Sequence, residues 1–96
     1  MTLRIQRSVE RSSVVLVLTG RIQADQVPEL EALLKSESSD RDMVLDLRNV
    51  KLVDRDAVHF LARSEGAGTE LRNCSAYIRE WITQEKNARQ RSELGN

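Results

Sequence analysis

Three consecutive charged residues stand where an apolar segment gives way to a segment with helical spacing. Asp54, Arg55 and Asp56 follow the apolar run that begins at Val44, and Ala57 opens a row of apolar residues on one helix face. An aspartate at an N-cap accepts a bond from a free backbone N–H, and the helix dipole favours a second one in the first turn. Arg55 is not explained in this way, because a cation near a helix N-terminus is mildly unfavourable. The triplet is therefore also a candidate contact site for another molecule.

Few other residues have the spacing that catalysis or ligand binding requires. His59 is the only histidine and Cys74 the only cysteine, and neither has a partner at the spacing of a zinc site or of a nucleophile with its base. Asp46 and Asp54 could supply oxygen ligands to a cation, but such a site needs several ligands together. Neither glycine-rich phosphate loop is present. We predict no enzyme, no metal and no cofactor, with packing or surface roles for His59 and Cys74, although a helix start near Cys74 could activate its thiol.

The composition excludes several classes of protein. The chain has 96 residues and 15 basic and 15 acidic side chains, so no net field would attract nucleic acid or an anionic membrane. The longest apolar run, Val14–Leu18, is far shorter than a bilayer span, so membrane insertion is not expected. A single cysteine cannot form an internal disulfide, which favours a reducing, cytoplasmic setting. We expect one domain at 1–83 and a polar tail at 84–96 that frays or is disordered.

Four segments are predicted to be strands. Leu3–Val9 alternates apolar and polar residues, as an edge strand does, and Val14–Gly20 is a continuous run typical of a strand covered on both faces. Met43–Leu47 is the third strand and Thr69–Asn73 a short fourth one. Residues 48–53 are predicted to be a loop whose apolar side chains fold back onto the core.

Three helices are predicted between and after these strands. The first has Asp25 as its N-cap and a proline in its first turn, and the second begins at Asp54 and ends at Gly66 and Gly68. The third is the amphipathic stretch 75–82. The resulting order, β-β-α-β-α-β-α, predicts an α/β fold with a mixed sheet of about four strands and the helices mainly on one face. The predicted buried residues are Val15, Val17, Val27, Leu30, Leu34, Val44, Leu45, Val58, Leu61 and Trp81.

Three stretches of the chain resemble the STAS family, the fold of bacterial anti-sigma-factor antagonists and of the cytoplasmic domains of sulfate transporters. VVLVLTGRIQADQVPELEALL resembles the second strand, glycine turn and first helix of the family. MVLDLRNVKLVDRDAVHFL resembles its most characteristic segment, and GTELRN resembles the next strand. The resemblance covers about 3–73, and beyond it the chain lacks the last strand that family members usually have.

The resemblance implies a partner-binding site and a departure from its usual regulation. Regulated members carry Asp-Ser-Ser-Gly or Asp-Ser-Thr-Gly at this helix start, and a kinase that is itself the anti-sigma factor phosphorylates the second hydroxyl residue. The corresponding positions here are Asp54, Arg55, Asp56 and Ala57, so a carboxylate replaces the phosphate acceptor. The resemblance thus implies a module fixed in a phosphorylated-like state, or one that has left the sigma-factor circuit.

Two interpretations of function follow. In the first, the chain is a non-enzymatic STAS-like protein-interaction module in bacterial signalling, an antagonist that serine phosphorylation cannot switch. Its partner-binding residues are then Asp54, Arg55, Asp56 and Ala57, its partner is a kinase-like anti-sigma factor or another signalling protein, and a weak homodimer is a further option. In the second, it is a regulatory domain that binds a small molecule or anion at a helix N-terminus.

Overall fold

Four strands and three helices alternate along the chain in the order expected from the sequence. The computed structural model describes residues 3–37 and 42–94, with side chains as far as residue 88. The elements are β1 (Leu3–Glu10), β2 (Ser13–Ile22), a 3-10 turn (Ala24–Gln26), α1 (Val27–Ser36), β3 (Asp42–Val53), α2 (Arg55–Gly66), β4 (Glu70–Arg72) and α3 (Ala76–Leu94).

The strands form one mixed sheet in the order β1-β2-β3-β4. β1 and β2 are an antiparallel hairpin, whose turn places Arg11 at a positive φ of 50°. β3 runs parallel to both β2 and β4. Parallel neighbours need a crossover, and α1 and α2 supply the two crossovers. The predicted fold class, a four-stranded mixed sheet in β-β-α-β-α-β-α order, is confirmed.

β3 is much longer than the sequence suggested, and the prediction of a loop at 48–53 is wrong. The strand continues to Val53, but its register against β2 shifts twice, between Val17 and Thr19 and between Gly20 and Arg21. At each shift β3 contains one more residue than β2, which is the definition of a bulge. The residues that reach the core are therefore three apart, at Leu47, Val50 and Val53.

All three helices pack on one face of the sheet, as predicted. Alternate residues of β2, at Val14, Leu16 and Leu18, belong to one buried cluster with residues of β3 and of every helix. The helical members are Leu30 of α1, Ala57, Val58, Phe60 and Leu61 of α2, and Ile78 and Ile82 of α3. Burying side chains of this size stabilises the fold by about 1.5–3 kcal/mol each.

The other face of the sheet is covered by side chains alone. Val15 and Val44 are buried although neither belongs to the core cluster. Arg72 of β4 forms an ion pair with Glu10 of β1 at 3.3 Å, so the two side chains reach across β2 and β3. The stem of an arginine can cover apolar surface while its head remains in water, which explains why strand residues on this face are dry without a helix.

Two predicted helix ends are corrected by the structure. Asp25 is not the N-cap of α1, because it lies inside the 3-10 turn, and Gln26 is the N-cap. The Gln26 side-chain oxygen instead accepts a bond from the Gln23 N–H at 2.9 Å, which closes the turn. At the end of α2, Gly66 is still helical, and only Gly68 has the left-handed φ, of 105°, that favours glycine.

The predicted buried set is confirmed for six of its members: Val15, Leu30, Val44, Leu45, Val58 and Leu61. The other four, Val17, Val27, Leu34 and Trp81, are only half-buried. Among the α3 side chains that the structure describes, up to residue 88, Ile78 and Ile82 are fully buried, so α3 faces the core with its isoleucines and exposes Tyr77 to solvent.

α3 continues as one helix to Leu94, with residues 95 and 96 outside the described part. The division into a domain at 1–83 and a tail stays a prediction. Among the described residues, no helix combines the length and apolar character needed to cross a membrane.

Candidate functional site

Asp54 joins the ends of two parallel strands to the start of α2. One carboxylate oxygen accepts the Ala57 N–H at 2.9 Å, and the other accepts the Ala24 N–H at 2.9 Å. The Asp54 backbone N–H donates to the Ile22 carbonyl at 3.2 Å. The predicted N-cap is confirmed, and the same side chain also fixes the turn after β2.

The next three residues of the candidate site divide into exposed and buried ones. The Arg55 side chain is 75% exposed, and its nearest acidic group is Glu85, with the closest N–O distance at 3.9 Å. Asp56 is exposed and makes no hydrogen bond or ion pair with any described part of the chain. Ala57 is completely buried in the core. The structure therefore presents the side chains of Arg55 and Asp56 to solvent and uses Asp54 and Ala57 to build the helix start.

Glu85 of α3 organises the surface beside this helix start. It hydrogen-bonds to His59, one turn beyond Arg55 on α2. A groove of about 490 Å³ lies here between the two helices. Its lining residues are Arg55, His59, Ala62, Arg63, Glu85, Lys86 and Ala88. Glu85 was not predicted as a site residue, because nothing in the local sequence pattern links it to a histidine far away along the chain.

A second set of ion pairs holds α3 against α2 near the other end of α2. Glu65 accepts two bonds from Arg79, at 2.9 and 2.8 Å, and a third from Lys86 at 2.6 Å. The bonds from Arg79 lower the pKa of Glu65 most, burial opposes them, and Lys86 lowers the pKa further, to about 2. Glu65 is therefore ionised over nearly the whole accessible pH range.

Asp46 is buried where β3 passes β4. Its Oδ1 accepts the Arg48 N–H at 3.0 Å and the Asn73 side-chain N–H at 3.1 Å. Burial raises the pKa of Asp46, but these two bonds and the charges of Arg48 and Arg72 outweigh it, so the pKa lies below its ordinary value. In the described chain, no three acidic, histidine or cysteine side chains come close enough together to hold a metal ion. Asp46 and Asp54 are both satisfied by neighbouring N–H groups of the fold.

Cys74 is half-buried between β4 and α3. Burial raises the pKa of its thiol, and the nearby Arg79 only partly offsets this effect. A thiol with a raised pKa is a poor nucleophile at neutral pH. This environment agrees with the expected packing role.

Two solved structures similar to this chain are described as anti-sigma-factor antagonists. The anti-sigma factor antagonist SpoIIAA in its unphosphorylated form has a TM-score of 0.59 and 20% identity, and the alignment covers 96% of this chain and 98% of SpoIIAA. The STAS domain of an antagonist from Rhodobacter sphaeroides has a TM-score of 0.57 and 14% identity, with 78% and 94% covered. The chain has the STAS fold.

A third structure with this fold extends the comparison. A protein of the DUF3478 family from Shewanella loihica, described as having a SpoIIAA-like fold, has a TM-score of 0.53 and 14% identity, with 90% of this chain and 78% of that protein covered. No family model and no curated protein matches the chain. At these identities the likeness establishes the STAS fold, and the activity must be argued from the residues.

Proposed function

We propose that this STAS-fold chain is a non-enzymatic protein-interaction module in bacterial signalling. Its partner binds at the start of α2, at the site formed by Asp54, Arg55, Asp56 and Ala57. The first partner to test is a kinase-like anti-sigma factor, because two solved structures with this fold are described as anti-sigma-factor antagonists.

The observation that carries the proposal is the contrast between neighbouring charges. Both carboxylate oxygens of Asp54 are occupied by the fold, whereas Asp56 and Arg55 point into solvent. The helix dipole stabilises Asp56 by only about 0.3–1 kcal/mol and acts against Arg55. A cation and an anion that contribute so little to folding, side by side on a rigid helix start, suit recognition of another protein.

Serine phosphorylation is not part of the proposed function at this site. The position that the family resemblance assigns to the acceptor hydroxyl carries the carboxylate of Asp56. A carboxylate has one negative charge and cannot be phosphorylated by a serine kinase, so the interaction is constitutive with respect to such a kinase.

Site-specific photo-crosslinking in cells tests the proposal. Benzoylphenylalanine at position 56 should capture a protein partner, and the same residue at position 35 should not. Lys35 is the matched control, because it is also exposed but lies at the far end of α1. The captured protein, once purified, should bind Asp56→Lys at least about tenfold more weakly than wild type, from like-charge contact at the interface. Equal capture from both positions, or unchanged affinity, contradicts the proposed site.

The anion-binding interpretation has less support. The N–H that an anion would use at the start of α2 is already bonded to Asp54, and Asp56 stands beside it. A thermal-shift screen against nucleotides, phosphate and carboxylates separates the two functions, since a ligand that binds the folded chain raises its melting temperature. A clear shift that Asp56→Lys strengthens would favour an anion over a protein partner.

A further inference from the structure

The strand at one side of the sheet has an open edge. β1 pairs with β2 along one side only, and no other strand in the described ranges lies beyond it. An edge of this kind presents a row of backbone N–H and C=O groups to any strand that can pair with it. β1 has eight residues, whereas the strand at the opposite edge, β4, has three. The edge of β1 is thus the longer of the two.

The charges of β1 are complementary to those of a second, antiparallel copy of the same strand. When Arg7 faces Arg7 of the second copy, Arg4 faces Glu10, and by symmetry this pair occurs twice. Glu10 already pairs with Arg72 of its own chain at 3.3 Å, but its side chain is 54% exposed, so Arg4 of the second copy adds a second cation to the same carboxylate. The side chains of Arg4 and Glu10 lie on the helix-free face, because they alternate with Leu3 and Ile5, which pack on the core. Arg4 is exposed and has no ion pair among the described residues.

The helix-covered face of β1 is complementary in the same register. Ile5 then faces Val9 of the second copy, again twice. Val9 is 46% exposed, so the isolated chain leaves this large apolar side chain in water. Arg7 faces Arg7 of the second copy, but each Arg7 already forms an ion pair within its own chain. It donates two hydrogen bonds to the Glu37 carboxylate, at 2.8 and 3.1 Å. The axis therefore brings together two neutralised ion pairs rather than two bare cations.

Neighbouring registers lack this complementarity. The outward backbone groups of a strand belong to every second residue, so the twofold axis must pass beside a residue rather than between two. An axis at Gln6 places Arg4 opposite Ser8, and an axis at Ser8 places Glu10 opposite Gln6. Only the axis at Arg7 joins opposite charges on one face and two apolar side chains on the other.

We propose that two copies of the chain pair through β1, antiparallel and centred on Arg7, into one eight-stranded sheet with all helices on the same side. This inference is independent of the proposed function, because the hydrogen bonds of Asp54 and the ion pair of Arg55 go to residues outside β1. A single strand pair is a small interface, so the dimer is weak, with a Kd on the order of 100 μM.

Charge reversal and charge exchange test the dimer and its register together. Sedimentation equilibrium of the full chain gives the Kd. Glu10→Arg and Arg4→Glu should each raise the Kd at least about fivefold, because like charges then face each other across the strands. The exchange Arg4→Glu with Glu10→Arg should return the Kd to within about twofold of wild type. Lys35→Glu, a reversal elsewhere on the surface, should leave the Kd unchanged.

Cysteine crosslinking identifies directly which residue lies beside the twofold axis of the dimer. In a Cys74→Ser background, Arg7→Cys should form a disulfide dimer on mild oxidation, because opposed Cα atoms about 4.5–5.5 Å apart fall within the disulfide range. Ser8→Cys, whose partner is Gln6, should crosslink far more slowly. Circular dichroism confirms that each variant is folded. The proposal is overturned if the chain stays monomeric at about 1 mM, or if the single charge reversals leave the Kd unchanged. It is also overturned if the charge exchange fails to restore pairing, or if Arg7→Cys and Ser8→Cys crosslink equally fast.

Discussion

Asp54 and Asp56 are chemically identical and two residues apart, yet the fold treats them differently. Asp54→Ala removes the acceptor of two backbone N–H groups, those of Ala57 and Ala24. The cap alone is worth about 0.5–2 kcal/mol, and the second lost bond adds about 1 kcal/mol. We expect the free energy of unfolding to fall by about 1–3 kcal/mol, measured by urea denaturation. Asp56→Ala is the matched control and should change it by less than about 0.5–1 kcal/mol, since only a dipole interaction is lost.

The charge of Asp56 is expected to matter for binding and little for folding. Asp56→Lys should cost about 1 kcal/mol of stability, because it reverses a favourable charge near a helix N-terminus. Affinity for the partner captured by crosslinking should fall much more. Equal loss of stability in Asp56→Lys and Asp54→Ala, with affinity unchanged, would reduce the triplet to a helix start.

The same position allows a gain-of-function test. Asp56→Ser restores the hydroxyl that the family resemblance places there, so a cognate serine kinase should phosphorylate this variant at position 56 in the presence of ATP. Wild type should carry no phosphate at that position by mass spectrometry. Phosphate on Ser64 or Ser75 of the wild-type chain would mean that the acceptor has moved elsewhere.

For individual residues, the sequence predicted only interactions between near neighbours in the chain. The N-cap of α2 was predictable, because Asp54 bonds to an N–H three residues away. Its bond to Ala24 was not, since that contact exists only when β2 and β3 lie side by side. Asp25 was misassigned for a different reason, because two neighbouring residues competed for one local role and Gln26, not Asp25, closes the turn before α1.

The contact between α2 and α3 depends on pH through Glu65. Its pKa lies at about 2, below the ordinary value of 4.5, so its stabilising effect is complete above about pH 4.5 and is lost as the pH falls through about 2. Because Arg79 and Lys86 are partly exposed, we expect an effect on the order of 1 kcal/mol. Glu65→Gln should lower the melting temperature at pH 7 and flatten its fall between pH 4.5 and 2. Glu80→Gln, an exposed control on α3 outside its first turn, should lower the melting temperature at pH 7 less than Glu65→Gln does.

The predicted division after residue 83 can be tested by truncation. A chain ending at Thr83 keeps the buried Ile78 and Ile82 but loses Glu85 and Lys86, which pair with α2. We expect it to fold, with a free energy of unfolding about 1–3 kcal/mol lower, because two partly exposed ion pairs and several helical turns are lost. Full-length Glu85→Ala with Lys86→Ala should reproduce part of the loss. A truncated chain that does not fold would place the polar segment within the domain.

β3 explains why the sequence predicted the sheet but not its extent. Met43–Leu47 follows the ordinary two-residue alternation and was recognised as a strand. Beyond it the two bulges change the spacing of core residues from two to three, and a three-residue spacing does not indicate a strand. The extra length became visible only through pairing with the end of β2, which is also what brings Asp54 to the Ala24 N–H.

For the molecule as a whole, the shortness of β4 implies that the fold opens in parts rather than all at once. β4 is bonded to the sheet only opposite Val44–Asp46, and α3 rests chiefly on α2. Native-state hydrogen exchange should therefore reveal a partly unfolded form in which β4 and α3 detach while the β1-β2-α1-β3-α2 unit persists. Amides of α3 should exchange with one common free energy, lower than that of β2 and the first half of β3. Glu65→Gln should speed exchange throughout α3 and leave the slowest amides of β2 less affected.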